Sequence, residues 1–299
     1  MPNRTLALPH LYFTFRSLLE EGLREDGYSL DWTSMGLPRG RKVKAKIVAK
    51  STGVFYGAEI ARAAAAVSEG IGLPFQVRTP VADGTIVKAG TKVVEIAGNA
   101  TGILALERPM LNLAGYLSGI ATRTRSLTDS TRSEWTKRKH HGPPPRITAT
   151  RKILPYYRDA AIAAVMAGGG FSHRVNLAGG VLIKENHISA AGGIRAAIVA
   201  SRRVAPHGLK IEIEVRNTNE LKQALAERAD VIMLDNFTPG EVRAAVQVVE
   251  DVDYQPLIEC SGGINETSIV EYAIPGVHLL SVGGLTHSVT ALDLSLLVL

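Results

Sequence analysis

The sequence predicts an α/β protein whose larger part is a parallel sheet wound from β/α units. Three observations predict it. Short apolar runs at 181–183, 211–215, 231–234, 257–258 and 279–280 alternate with amphipathic segments at 194–204, 220–228, 241–250 and 266–273, the pattern of a β/α succession. Most of those runs end in polar or glycine residues: Lys184, Glu214, Asp235, Ser261-Gly262-Gly263, and Ser281 with Gly283-Gly284. In β/α barrels the active site is assembled from the loops at the C-terminal strand ends, so these residues stand where such an architecture places its chemistry. The length of 299 residues, finally, leaves room for one large domain plus a smaller one.

The preceding elements follow in order. Leu11, Phe15, Leu18, Leu19 and Leu23 fall at helical spacing and Asp26-Gly27 closes the segment, which predicts an amphipathic surface helix. From Lys42 to Lys50, Lys42, Lys44 and Lys46 alternate with Val43, Ala45 and Ile47, the period of a half-buried strand with a solvated basic face. Residues 59–72 are alanine-rich and helical, and 77–96 reads as short strands with turns at Asp83-Gly84 and Ala89-Gly90. That last stretch is similar to the hairpins of lipoyl or biotinyl carrier modules. It has no lysine at a hairpin tip in a Met-Lys-Met or Asp-Lys-Ala setting, and is read as structural.

A helix is expected over 104–124, with Pro109 tolerated only in its first turn. Its small residues Ala114, Gly115, Ser118 and Gly119 imply close helix packing. Between Arg125 and Arg146 the chain is polar and basic, with Lys137-Arg138-Lys139-His140-His141 followed by Gly142 and three prolines, so a surface loop or insertion is expected. A strand at 147–150 follows.

Composition excludes some classes of function and leaves others. The single cysteine, Cys260, cannot form an internal disulfide, so an oxidising compartment is not required and a cytoplasmic setting is the expectation. Pro9, His10 and Arg16 interrupt the N-terminal apolar residues, and no apolar stretch approaches the roughly 20 residues that span a bilayer. A formal charge of +6 and a pI near 9.4 fit either a nucleic-acid surface or an enzyme for polyanionic substrates. Position favours the second. Arg151-Lys152 follow the strand at 147–150, His173-Arg174 follow Gly168-Gly169-Gly170, and Lys184 ends a strand, so the cations gather on successive strand-end loops. Such a cavity suits a small molecule with several anionic groups, because guanidinium forks grip carboxylates and phosphates bidentately. Glu214 and Asp235, on neighbouring strands, can hold ribose hydroxyls or help position Mg²⁺, which prefers oxygen ligands. The turns Ser261-Gly262-Gly263 and Val282-Gly283-Gly284 can offer backbone N–H groups to a terminal phosphate.

The stretches GAEIARAAAA, LERPMLNLAGYLSGIAT, TRK, GGGFSHRVNL, LIKENHI, IEIEV, VIMLDNF, ECSGGI and SVGGLTHS followed by LDLSLLVL together resemble the quinolinate phosphoribosyltransferase family. The resemblance covers most of the chain, and the order and number of the stretches make it specific. It implies an incomplete α/β barrel (open, TIM-like, with parallel strands) over 113–287, plus an N-terminal open-faced α/β sandwich over 1–112 that the final segment 288–299 rejoins as a strand. It implies conversion of quinolinate and phosphoribosyl pyrophosphate to nicotinate mononucleotide, pyrophosphate and carbon dioxide in NAD synthesis, with Mg²⁺. A homodimer, or a larger homo-oligomer built from it, is implied as well, with Arg108 reaching into the partner's site. Thr150, Arg151, Lys152, His173, Arg174 and Lys184 match the substrate pocket, with Lys152, Lys184, Glu214 and Asp235 in catalytic positions. Glu214 and Asp235 match the metal-proximal pair, and Ser261, Gly262, Gly263, Val282, Gly283 and Gly284 match the 5′-phosphate site. Neither a nucleic acid nor a membrane is implied as partner.

Two stretches depart from the family pattern. The family continues from Asp-Thr-Arg-Lys through threonines and Pro-Gly-Leu-Arg, whereas here Ala149 precedes Thr150-Arg151-Lys152 and the chain runs on as Ile153-Leu154-Pro155-Tyr156-Tyr157-Arg158. The basic, proline-rich stretch 133–146 is also longer than the family norm. Rival readings are a related phosphoribosyltransferase taking another acceptor base, and a nucleic-acid-binding protein using Lys137–His141, which would bind with a steep salt dependence.

Overall fold

The computed structural model describes residues 9–299. Its contacts divide the chain into two compact units. The first comprises the described residues up to Arg125, Leu154–Gly169 and Ser288–Leu299, and the second Ser126–Ile153 and Gly170–His287.

The first unit begins with helix α1 (Pro9–Glu25), a 3₁₀ turn (Tyr28–Leu30) and the short α2 (Trp32–Met35). Strands β1 (Lys42–Ala49) and β2 (Gly53–Val54), helix α3 (Ala58–Gly70), and strands β3 (Phe75–Arg78), β4 (Ile86–Val87) and β5 (Lys92–Asn99) follow. The helical period of α1 buries Phe15, Leu19 and Leu23, and the helix packs on α3, whose Ala61, Ala63, Ala64 and Val67 are buried. Small side chains on α3 let a neighbouring helix come close. The alternation in β1 is realised as read: Ala45 and Ile47 are buried while Lys42 and Lys44 are exposed. Its sheet has the order β12-β1-β5-β3, in which the last strand of the chain, β12 (Leu294–Val298), pairs antiparallel with β1. Gly84 and Gly90 hold the two expected turns with φ of 86° each, a conformation that glycine adopts without Cβ strain.

Helix α4 runs from Ala100 to Lys137, well beyond the 104–124 expected, and contributes residues to both units. Pro109 lies in its third turn, not its first. Proline there leaves one carbonyl of the preceding turn without its helical bond. The helix continues because tertiary packing outweighs that loss: Ile103, Leu106, Met110, Leu113 and Leu117 are buried on either side. Pro109 itself abuts α1, where a Cβ on Gly22 would stand 3.2 Å from the proline Cβ. The expected loop after Arg125 is therefore corrected: residues 126–137 are helical, and Leu127, Thr131 and Trp135 recur at i, i+4 and i+8 on a buried face. The abundant charges at 132–138 occupy the opposite side. There Arg138 donates to Glu134 at 2.7 Å, and Lys137 Nζ lies 3.8 Å from the same carboxylate.

In chain order β6 (Arg146–Thr148) and α5 (Arg158–Ala167) come next, α5 belonging to the first unit. The second unit then continues with β7 (Val181–Ile183), α6 (Glu185–Ala191), α7 (Ile194–Val204), β8 (Ile211–Val215), α8 (Thr218–Ala226), β9 (Val231–Asp235), α9 (Pro239–Glu250), β10 (Leu257–Ser261), β11 (Leu279–Ser281) and α10 (Gly284–His287). Its six strands form one parallel sheet in the order β6-β11-β10-β9-β8-β7. β6 and β7 remain edges, so the barrel is open, as expected. The amphipathic segment expected at 266–273 is only a 3₁₀ turn, Ile269–Tyr272, too short to complete a helical face. No described helix is long and apolar enough to cross a membrane.

Candidate active site

Parallel strands place all their C-terminal ends along one edge. Register pairs Asp235 with Ser261, Ser261 with Ser281, and Ser281 with Thr148 across neighbouring strands. A cavity of about 560 Å³ is lined from this edge. Of the residues singled out in the sequence, Thr150, Arg151, Lys152, His173, Arg174, Lys184, Glu214, Asp235, Ser261, Gly262 and Gly263 line it. Val282, Gly283 and Gly284 are not among its lining residues. A Cβ on Gly283 would stand 3.4 Å from Cδ of the cavity-lining Lys152, while the buried Val282 donates its N–H to Thr148 O at 2.9 Å. Arg108 is exposed on α4, in the other unit.

Each side chain is held by a local device. The Thr150–Lys152 loop is tied down where Lys152 N–H donates to Thr150 Oγ1 at 3.2 Å and Thr286 Oγ1 donates to Lys152 O at 2.9 Å. Arg174 donates through Nη1 to Gly180 O at 3.2 Å, and its buried Nε has no hydrogen-bond partner in the protein. A half-buried guanidinium with an unanswered donor beside a cavity is suited to an anion. Burial and then the charge of Arg151 lower the Arg174 pKa, so two guanidiniums crowd together. Lys184 Nζ donates to Glu214 Oε2 at 2.6 Å.

Asp235, at the end of β9, accepts from Asn236 Nδ2 at 2.7 Å. Burial first, and the Glu214 charge second, raise its pKa. Glu214 and Asp235 present only oxygen, the kind of donor that Mg²⁺ takes. Gly262 is required by its neighbours: its φ is 94°, and a Cβ would stand 2.2 Å from Asn236 Oδ1.

Ser281, which the sequence placed at a strand end, also lines the cavity. The structure adds residues that reading the sequence missed: Leu182, Met233, Asn236 and Glu259 line it as well, and Glu212 lies just behind it against His173. A signal for the two glutamates was present. In Ile211-Glu212-Ile213-Glu214-Val215 the strand period puts Glu212 on the same face as Glu214, and in Glu259-Cys260-Ser261 it puts Glu259 on the face of Ser261.

Comparison with known proteins identifies the family. A family model described as quinolinate phosphoribosyl transferase, C-terminal domain, matches residues 120–297, and one described as its N-terminal domain matches residues 31–118. The chain is 38% identical over 284 residues to a probable nicotinate-nucleotide pyrophosphorylase [carboxylating] of Methanocaldococcus jannaschii, covering 93% of this chain and 95% of that protein. The human nicotinate-nucleotide pyrophosphorylase [carboxylating] is 32% identical over 284 residues, covering 95% and 91%. The solved nicotinate-nucleotide pyrophosphorylase of Francisella tularensis superposes with a TM-score of 0.85 at 33% identity, covering 96% of this chain and 97% of that one. In fold, in the order of its motifs and in these matches along both domains, the chain belongs to the quinolinate phosphoribosyltransferase family.

Proposed function

We propose that this protein transfers the phosphoribosyl group of phosphoribosyl pyrophosphate to quinolinate, releasing pyrophosphate and carbon dioxide and forming nicotinate mononucleotide for NAD synthesis. One observation carries the reading: five cationic side chains, Arg151, Lys152, His173, Arg174 and Lys184, and the carboxylates Glu214 and Asp235 line a single cavity at the strand ends. That is the charge arrangement a dicarboxylate and a pyrophosphate ester demand together. Arg151, Arg174 and His173 receive the quinolinate carboxylates, while Lys152 and Lys184 face the leaving pyrophosphate. The ring nitrogen attacks the anomeric carbon as the bond from that carbon to the pyrophosphate oxygen breaks and its electron pair leaves with pyrophosphate, with positive charge developing on the sugar. Glu214 and Asp235 hold the ribose and favour that charge. The ribosylated nitrogen is cationic, so departure of the adjacent carboxylate as carbon dioxide leaves an electron pair beside a positive centre, and a proton then replaces it.

Glu214 and Asp235 are also the residues that would hold Mg²⁺, directly or through water, and the ion would supply charge neutralisation on the pyrophosphate. The glycine turns at 261–263 and 282–284 are proposed for the 5′-phosphate. The exposed Arg108, within the family-like LERPMLNLAGYLSG stretch, is proposed to enter the partner's cavity in a homodimer. A cytoplasmic setting suits substrates of this kind.

The test is incubation of the purified protein with quinolinate, phosphoribosyl pyrophosphate and Mg²⁺, following nicotinate mononucleotide and carbon dioxide together. Equal yields of both, dependent on all three components, are expected. Arg174→Ala is expected to lower kcat/KM for quinolinate by roughly a hundredfold, the effect of losing a charge-assisted contact and leaving its anion unanswered. No product from the folded protein would sink the reading, and product with nicotinate or another base in place of quinolinate would move it to a related transferase.

A further inference from the structure

From the wall of the cavity, at His173, Glu259 and Ser281, a chain of polar groups runs back to the buried Glu212 and Thr148, and the transfer reaction does not itself call for it. His173 Nε2 stands 3.1 Å from Glu212 Oε2 and 3.4 Å from Glu259 Oε2. Glu259 is wholly buried and Glu212 nearly so, at 0% and 7% exposure. Glu259 Oε1 accepts from Ser281 Oγ at 2.5 Å, and that hydroxyl lies 2.7 Å from Thr148 Oγ1, which anchors the carboxylate to three strands. Glu259 Oε2 has no other hydrogen bond. Burial first, and the Glu259 charge as well, raise the Glu212 pKa, so the pair calls for a compensating positive charge, and the imidazole ring is positioned to supply it.

We infer that Glu212 and Glu259 are positioning residues, which hold His173 doubly protonated with Nε2–H committed to them, so that Nδ1–H serves the cavity and donates to a carboxylate of the acceptor base. The inference rests on the proposed quinolinate reading for the identity of that carboxylate. Its physical core is the number of glutamates. Arg151, Lys152, Arg174 and Lys184 line the same cavity and disfavour a further positive charge. A single carboxylate would leave the ring as the neutral tautomer, with a lone pair at Nδ1 facing an anionic substrate. A second one behind the ring offsets that field. Burial by itself lowers the ring's pKa, but the two carboxylates outweigh it and push it up to about 10. The substrate would then meet a donor whose charge does not vary across the neutral range.

Nitrogen NMR of the ring-labelled, ligand-free protein reads this directly, whatever the substrate. At pH 8 the His173 ring is expected to carry protons on both nitrogens. In Glu259→Gln, an isostere that can still accept from Ser281, it is expected to be neutral at that pH. The same variant is expected to raise KM for quinolinate roughly tenfold while kcat and KM for phosphoribosyl pyrophosphate stay within about twofold, because a contact made equally in ground and transition states is lost. Glu212→Gln should act in the same direction and carries the test if Glu259→Gln does not fold, while Glu212→Asp should partly restore the doubly protonated signal. A neutral His173 in the unaltered protein, or an unchanged quinolinate KM once the ring has become neutral, would overturn the inference. So would a stoichiometric divalent metal bound through these three side chains. If the unaltered protein turns over no quinolinate, the function reading fails separately, and the NMR result alone decides the state of the ring.

Discussion

A charge placed inside a strand has to be answered by another charge or by water, and at residues 212 and 259 it is answered by His173. The consequence extends beyond substrate binding to stability. The folded-state pKa of His173 is raised from an ordinary 6.5 to about 10, so the folded state binds the proton more tightly than the unfolded chain does. The stabilisation is fully present below about pH 6.5 and is lost as pH rises from there through about 10. Urea-unfolding midpoints of the unaltered protein should therefore fall between pH 7 and 10, and His173→Gln should flatten that part of the profile. Equal slopes for both proteins would show that the ring does not titrate with folding. The site's cations were legible in the sequence because each follows an apolar run or a glycine cluster. Glu212 and Glu259 were not singled out because their role depends on which strand face meets a histidine many residues away, and spacing along the chain does not report that.

At the scale of elements, periodicity located the strands well and misjudged two helices. The sequence predicts this helix only over 104–124, with Pro109 confined to its first turn, since proline and a run of charges are both local signals against helix, whereas α4 runs from Ala100 to Lys137. The buried face of Leu127, Thr131 and Trp135 is a longer-range signal, and it prevailed. Where local and tertiary signals agree the boundary is sharp. α9 starts at a complete capping box: Thr238 Oγ1 accepts from Glu241 N–H at 3.3 Å, Glu241 Oε2 accepts from Thr238 N–H at 2.8 Å, and Pro239 occupies the first helical position. Thr238→Ala is expected to destabilise the fold by about 1 kcal/mol, read as a lowered urea midpoint at unchanged slope. A loss below about 0.3 kcal/mol would mean that proline and packing alone set the helix start. The expected helix at 266–273 failed for the complementary reason: a few apolar residues under a loop need only a 3₁₀ turn to be buried.

For the whole molecule, the chain's return at its C-terminus ties sequence ends together, and α4 shows how. Its small residues implied close helix packing, and the partners are two chain segments: Ser118 and Ala114 meet Tyr56 and Gly57, while Gly115 and Gly119 meet the returning segment before β12. Leu292 N–H donates to Gly115 O at 2.9 Å, and a Cβ on Gly119 would stand 2.3 Å from Thr290 O. Glycine at 119 is thus fixed by backbone approach and not by backbone angle, since its φ is not positive. Once past α4, the chain buries Leu292 and Leu294 and adds β12 beside β1, so the sheet of the first unit is completed by residues about 250 positions from β1. Gly119→Ala is therefore expected to displace the return and destabilise the protein by about 1–3 kcal/mol, the range for overpacking a tight site. Hydrogen exchange should locate the effect: amides of β1 bonded to β12 should lose protection, while those between β1 and β5 keep more of theirs. Uniform loss across the sheet would mean that β12 and the rest of the first unit open as one body, and unchanged stability would mean that the return segment shifts without strain.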